Sequence, residues 1–282
     1  MTVAVTGASG QFGRLAVEAL LKEGADVVAV VRDPAKAADL AAKGVDVRQA
    51  SYDEPEALDR AFAGVDRVLL VSGTEFGQRV AQHTNVIRAA ERAGVELLAY
   101  ISIPHAERNP LILAQEHWGT EQVLADASVP NVVLRNSWYW ENYLGGLPHA
   151  VESGVLHGAA GTGRVSGAAR ADYAEAAAKV LTTDGHAGQV YELGGDEHLT
   201  YADLAQAIST AAGKPVRYEN LPQADYAAAL EAAGLPAGYA QALADADSGI
   251  ADGILDVTSG DLQKILGRPS TQAVEVFRAA LA

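Results

Sequence analysis

Thr2-Val3-Ala4-Val5-Thr6-Gly7-Ala8-Ser9-Gly10-Gln11-Phe12-Gly13 is the stretch whose reading decides the fold. A short, β-branched run ends in a glycine turn, and an amphipathic stretch over 11–23 begins inside that turn. The three glycines have separate physical duties in such a strand–turn–helix. Gly7 permits the tight turn, Gly10 lets a pyrophosphate approach the backbone, and Gly13 lets helix and strand pack closely. The helix N-terminus then offers unpaired N–H groups and roughly half a positive charge to phosphate. Glycine turns also serve plain chain reversal, but this context assigns Gly7, Ala8, Ser9, Gly10, Gln11, Phe12 and Gly13 to dinucleotide binding.

Working outward, residues 2–6, 26–32, 46–50, 67–71, 97–102 and 131–135 read as six strands. Between them, 11–23, 34–43, 54–62, 78–93 and 111–127 carry apolar residues at helical spacing. Gly24, Gly44, Gly64 and Gly94 each follow a predicted helix, where a left-handed residue is wanted. Apolar strands joined by helices imply a parallel sheet covered on both faces, since parallel strands need crossovers. The predicted fold class is α/β, a Rossmann-type doubly wound sheet. Beyond Arg135 the pattern loosens. Residues 137–150 are aromatic and broken by glycine, 171–183 read as a helix, and 189–193 as a strand ended by Gly194-Gly195. From residue 200 two or three helices are expected, over 200–212, 223–233 and 238–246. The predicted division is a nucleotide-binding domain of 1–135, rejoined by 166–195. A smaller, mostly helical substrate domain of 196–282, with a contribution from 136–165, would cap the sheet's carboxyl edge.

A chain of 282 residues exceeds what one small core usually needs. The formal charge of −15 disfavours nucleic acid and anionic membrane as partners. Any anionic ligand then requires a local basic pocket. Cysteine is absent, which removes disulfides, thiolate metal sites and cysteine nucleophiles and fits a reducing compartment. Neither a signal peptide nor a membrane-spanning run is seen, so a cytoplasmic setting is expected.

The second strand ends in Arg32. A carboxylate at this place grips both ribose hydroxyls of NAD, whereas an arginine accommodates the 2′-phosphate of NADP. Asp33-Pro34 suits the cap and first turn of the next helix, leaving Arg32, with Lys36, as the basic pocket an acidic chain needs. The alternative for Arg32 is a solvated surface cation. Ser72, Gly73 and Thr74 follow the fourth strand, where small residues let a cofactor cross the backbone or simply form a loop.

No tyrosine is followed by lysine four residues later, so the tyrosine–lysine proton relay common in reductases of this architecture is missing. The seven histidines form no metal pattern, and no GxSxG elbow exists. Chemistry must therefore ride on the cofactor. His117 lies early in the helix after the fifth strand and reads either as a proton relay or as an ordinary helix histidine. His105 sits in the loop before it. Trp138, Tyr139, Trp140 and Tyr143, interleaved with Asn136, Glu141 and Asn142, suit either core packing or the flat walls of a nicotinamide and an aromatic acceptor. Trp138, Tyr139, Glu141 and Asn142 are assigned to cofactor binding, and Tyr139 joins His117 as a candidate catalytic residue. No metal is expected.

Four segments now carry a family resemblance: TGASGQFG, VVRDPAKA, RNSWYWENY and ADYAEAAAKVL. Together they resemble the NmrA-like, atypical short-chain dehydrogenases over essentially the whole chain. The bacterial NAD(P)H:quinone oxidoreductases of the second type are the most similar group within it, and triphenylmethane-dye reductases are similar almost as far. The resemblance implies a Rossmann domain, a smaller C-terminal domain, NADP(H) as cofactor and two-electron reduction of quinones. It matches Arg32 to the 2′-phosphate residue and residues 138–143 to the nicotinamide side. Related quinone reductases tend to carry Glu-Lys where this chain has Glu121-Gln122, and the isoflavone-reductase relatives carry lysine at the place of His117. The expected function is hydride transfer from NADPH to a quinone between the two domains, protonated by solvent or a tyrosine; a homodimer is compatible with it. Two other readings compete: a triphenylmethane-dye reductase, and a non-catalytic NADP(H)-sensing regulator.

Overall fold

The computed structural model describes residues 1–282. The chain divides into two compact units: Met1–Ile103 with Glu116–Arg135 and Tyr173–Tyr191, and Pro104–Gln115 with Asn136–Asp172 and Glu192–Ala282. No helix is long and apolar enough to cross a membrane.

In the first unit, β1 (Thr2–Thr6), α1 (Gln11–Lys22) and β2 (Asp26–Val31) begin an alternation of strand and helix. It continues through α2 (Ala38–Ala42), β3 (Asp46–Gln49), α3 (Pro55–Ala61), β4 (Arg67–Leu70), α4 (Arg79–Ala93), β5 (Leu97–Ser102), α5 (Ile112–Ala125) and β6 (Asn131–Asn136). Val3, Ala4, Val5 and Thr6 are all buried, which only a sheet covered on both faces allows. Phe12, Gly13, Ala16, Val17 and Leu20 form the one buried stripe of α1. Gly24, Gly44, Gly64 and Gly94 all take positive φ just past a helix, as expected.

Further on lie α6 (Leu147–Ser153), β7 (Val155–Gly158), β8 (Arg164–Val165), α7 (Arg170–Thr182) and β9 (Val190–Leu193). The main sheet has the order β3-β2-β1-β4-β5-β6-β9. Every pairing from β3 to β6 is parallel. Val133 N–H donates to Gln189 and Ser137 N–H to Leu193, an equal step along both strands, so β9 is parallel too. The strand order reverses between β1 and β4, and a crevice opens at their carboxyl ends in sheets wound this way. One face is filled by Leu58, Phe62, Val68, Leu70, Val86, Ile87, Leu98 and Tyr100. Burying each such side chain stabilises the unit by roughly 1.5–3 kcal/mol.

The second unit also holds β10 (Leu199–Thr200), α8 (Tyr201–Ala212), β11 (Arg217–Asn220), α9 (Gln223–Ala232), α10 (Ala237–Ala251), α11 (Asp261–Leu266) and α12 (Ala273–Leu281). Thr200 and Asp203 cap α8 reciprocally. Buried Asp247 accepts the Ala159 N–H at 2.8 Å and the Tyr201 hydroxyl, and burial raises its pKa to about 6.

Three sequence expectations need correction. Residues 34–43 form not one helix but a 3-10 turn over Pro34–Ala37 followed by the short α2. The cause is local: Asp33 accepts the Ala35 N–H and tightens the first turn, while the Arg14 guanidinium takes the Lys36 carbonyl. Five helices, not two or three, follow residue 200; six-residue α11 is too short to show a period, and nine-residue α12 adds a further helix that buries Ala273 and Phe277. The helix expected over 238–246 extends to Ala251. The short pairs β7–β11 and β8–β10 have no alternation long enough to read.

Inside the first unit, Arg135 on β6 donates Nε and NH2 to Glu121 on α5 at 3.1 and 2.6 Å. Ser102 Oγ joins the same carboxylate at 2.5 Å, and all three residues are buried. Removing one partner of a buried pair leaves the other charge stranded. Arg135→Met should therefore lower the unfolding free energy by about 3–5 kcal/mol in urea titration, and Glu121→Met in the same chain should restore most of it. A single-variant loss below about 1 kcal/mol, the value of an exposed pair, would mean the network contributes nothing.

Candidate functional site

The crevice is built from the turn upward. Gly7 has φ +59°, and its carbonyl accepts the Gly10 N–H at 2.9 Å. A Cβ at Gly13 would lie 2.3 Å from the Gly7 oxygen and 2.7 Å from the Ala8 Cα, so packing of helix on turn excludes any side chain there. Gly10 differs: a Cβ would meet only the Gly7 oxygen, at 3.2 Å, and otherwise faces open space. Gly10 is also the N-cap of α1 and supplies no side-chain cap, and the first turn carries no acidic residue. The chain itself therefore places no carboxylate or side-chain cap at the positive end of this helix.

Tyr52 ties the two strand ends that flank the crevice. Its hydroxyl lies 2.6 Å from Thr6 Oγ1 on β1 and 2.8 Å from the Val71 carbonyl after β4. The Ser72, Gly73 and Thr74 loop thus stands beside the glycine turn. Its middle peptide is held by α4: Gly73 N–H donates to His83 Nε2 at 2.9 Å, and Arg79 Nε donates to the Gly73 carbonyl at 2.8 Å.

Arg32 is exposed and pairs with Glu75 at 2.6 Å. Gln82 Nε2 donates to the other oxygen of Glu75 at 3.0 Å. The chain thus supplies its own carboxylate at the basic pocket. A second cation escaped the sequence reading. Arg14 on α1 donates Nε to the Ser9 carbonyl at 3.1 Å and pairs with Asp39, fastening the glycine turn to the segment after β2. Its only signal was one basic residue in the first turn of α1.

His117 also lies in the first unit, but it is buried, with Nδ1 2.8 Å from the Tyr100 hydroxyl. Burial, with Arg79 and His83 nearby, holds its pKa well below the usual histidine value, so the ring is neutral at pH 7. His105, in the second unit, has φ +52° and Nδ1 3.2 Å from Glu192.

Trp138, Tyr139, Glu141 and Asn142 belong to the second unit. Backbone bonds from Ala168 to the Trp138 carbonyl and from Trp140 to the Ala168 carbonyl fix the segment. Trp140 is fully buried over Gly167, where a Cβ would come within 2.5 Å of the indole; this aromatic is core. The Arg170 guanidinium stacks 5.0 Å from the Tyr139 ring, and Asn136 Nδ2 donates to its hydroxyl at 3.2 Å. Burial raises the Tyr139 pKa. Both Glu141 oxygens accept the Arg170 N–H, at 2.9 and 3.0 Å, so this carboxylate caps α7. Asn142 is exposed. The first unit therefore gathers the glycine turn, Arg32 and the Ser72–Thr74 loop, and the second unit holds the aromatic group. No cluster of three or more histidine, aspartate or glutamate side chains is arranged to hold a metal ion.

A model of the NmrA-like family matches residues 1–253. Quinone oxidoreductase 2 of Escherichia coli (strain K12) is 50% identical over 275 residues, 97% of this chain and 96% of that protein. The crystal structure of the E. coli NADPH-dependent quinone oxidoreductase complexed with NADPH matches with a TM-score of 0.95 at 48% identity, covering 99% of this chain and 100% of that one. Citrobacter sp. triphenylmethane reductase complexed with NADP(H) matches with a TM-score of 0.94 at 37% identity, covering 99% of each chain.

The two turn glycines should separate cleanly on substitution. Gly10→Val should melt much closer to wild type by circular dichroism, because its Cβ meets only the Gly7 oxygen, at 3.2 Å, and the rest of the side chain enters open space. Gly13→Val must push the turn off the helix and should lower the melting temperature markedly. Equal melting temperatures for the two variants would contradict this geometry.

Proposed function

The chain belongs to the NmrA-like family, and from that premise we propose that it is an NADPH-dependent oxidoreductase that reduces quinone-type acceptors by two electrons. The observation that carries this reading is likeness along the whole chain, at 50% identity, to E. coli quinone oxidoreductase 2. The residues present fit a dinucleotide: α1 begins on a glycine with open space above it and no cap of its own. Bound NADPH supplies the hydride; the protein supplies binding, orientation and electrostatics.

In this reading Gly7, Ala8, Ser9, Gly10, Gln11, Phe12 and Gly13 hold the pyrophosphate. Arg32 exchanges its Glu75 partner for the 2′-phosphate, and Ser72, Gly73 and Thr74 form the wall beside them. Trp138 and Tyr139 offer flat apolar surface to the nicotinamide, Asn142 an amide, and Glu141 keeps the segment in place by capping α7. Quinones accept hydride without a strongly tuned acid, which agrees with a neutral, buried His117 and a tyrosine, Tyr139, whose proton is held more tightly than usual. The product oxygen then takes its proton from solvent. A cytoplasmic setting belongs to the same proposal, supported by the absence of cysteine. A cationic dye as acceptor is the second reading, favoured by the likeness to triphenylmethane reductase and by the net charge of −15.

The test is NADPH consumption followed at 340 nm with benzoquinone, a naphthoquinone and a triphenylmethane dye. Turnover with the quinones is expected; cofactor binding without turnover on any acceptor would overturn the enzyme reading. Gly10→Val should abolish cofactor binding in calorimetry.

Arg32→Ala should weaken NADPH and leave NADH nearly untouched. A charge-assisted contact is worth about 1.5–3 kcal/mol, or roughly 10–150-fold in affinity. The exposed position of Arg32 and its existing Glu75 partner place the expected loss at the lower end. Equal losses in kcat/KM for both cofactors would reassign Arg32 to the fold.

His117→Ala should cost less than about ten-fold in quinone turnover, since a general acid in use is typically worth about 10²–10⁴-fold. A loss in that larger range would make His117 the proton donor.

A further inference from the structure

Beneath the crevice, α4 and α5 carry buried polar groups that the proposed chemistry does not use. His83, on the second turn of α4, is fully buried. Its Nε2 accepts the Gly73 N–H at 2.9 Å, which leaves the ring proton on Nδ1, 3.0 Å from Thr120 Oγ1. The Thr120 hydroxyl in turn donates to the Glu116 carbonyl at 2.9 Å. The direction of the whole chain is therefore determined, from Gly73 through His83 and Thr120 to the backbone of α5. The Glu116 carboxylate adds a second anchor, accepting the Gly77 and Arg79 N–H groups at 3.0 and 3.2 Å where α4 begins. Tyr52 and Tyr100 stand edge-on to the imidazole, with ring centroids 6.1 and 5.4 Å away, and leave it one orientation.

An imidazole is an expensive way to fill such a space. A leucine packs as well and asks for no partners, whereas every buried polar atom must be satisfied. What the imidazole does that leucine cannot is hold a peptide. With Gly73 N–H on His83 and its carbonyl on Arg79, both polar groups of that residue point into α4. Ser72 and Thr74, on either side, are thereby given fixed directions at the crevice. Burial, with Arg79 nearby, lowers the His83 pKa to about 3, so the ring stays a neutral acceptor throughout the physiological range. We infer that His83 is a positioning residue for dinucleotide binding, acting through the Gly73 peptide. The inference rests on the proposed cofactor reading and adds to it a residue that touches no ligand itself.

Two near-isosteric variants separate the bond to Gly73 from the bond to Thr120. His83→Gln can place Oε1 where Nε2 stood and keep the acceptor for Gly73. His83→Asn reaches only to the position of Nδ1 and loses it. In the full chain, calorimetry with NADPH and NADH should show His83→Asn weakening both cofactors by about 5- to 30-fold, the cost of an unsatisfied buried N–H. His83→Gln should bind close to wild type. At saturating cofactor, kcat with benzoquinone should be unchanged in both, and the asparagine variant should melt no higher than the glutamine one. Equal losses in the two variants, tracking melting temperature, would reduce His83 to core packing and overturn the inference. So would an asparagine variant with wild-type affinity while the wild type binds NADPH. A wild type that binds neither cofactor would overturn the inference together with the reading beneath it.

Discussion

Between β1 and α1 the backbone closes on itself so tightly that the Gly13 Cα nearly touches the Gly7 carbonyl. A single added carbon would sit 2.3 Å from that oxygen, well inside contact distance. The approach sets the angle at which α1 leaves the sheet, and it leaves the first N–H groups of the helix without a cap from the chain. Close packing on one side and open space on the other come from the same turn. Gly13 answers to the first requirement and Gly10 to the second, although the sequence writes them with one letter.

The reversal of strand order between β1 and β4 places that turn at the mouth of the crevice. Neighbouring loops leave the sheet in opposite directions there, and the gap must be bridged from below or it would be soft. Tyr52 bridges it at the strand ends, with Thr6 and Val71. His83 and Arg79 support the loop one step further out. None of these side chains needs to meet a ligand. Their work is to keep backbone groups aimed, which is the larger part of what a protein adds to a cofactor that carries its own chemistry.

Electrostatics in this chain are arranged by neutralisation rather than by display. With a net charge of −15, Asp and Glu outnumber Lys and Arg by 36 to 21, and the two arginines beside the glycine turn already have partners. Arg32 has Glu75, and Arg14 has Asp39. Glu121 is not idle either; it satisfies Arg135 inside the unit. An anion arriving at Arg32 therefore enters an exchange of partners in a solvent-exposed place, where each pair is worth little and salt screens it.

The fold was legible in the sequence because its signals are local. The glycine turn, the alternation of β-branched strands with amphipathic stretches, and the glycines past four helices each depend on a few adjacent residues. The turn residues and Arg32 were singled out from signals of the same local kind. What only tertiary structure decided is everything that depends on a partner distant in sequence. Residues 34–43 carry a helical pattern, but Arg14 captures the Lys36 carbonyl and the first turn winds tighter. His117 could have faced a crevice or the interior, and Tyr100 and burial decided for the interior. Glu141 looked like a ligand-facing carboxylate and became the cap of α7, twenty-nine residues along the chain. His83 carried no signal at all, since nothing near it in sequence says that Gly73 will need an acceptor. Periodicity and turn chemistry report on a residue's own backbone. Which polar atom it must satisfy is settled only when the chain has brought the two together.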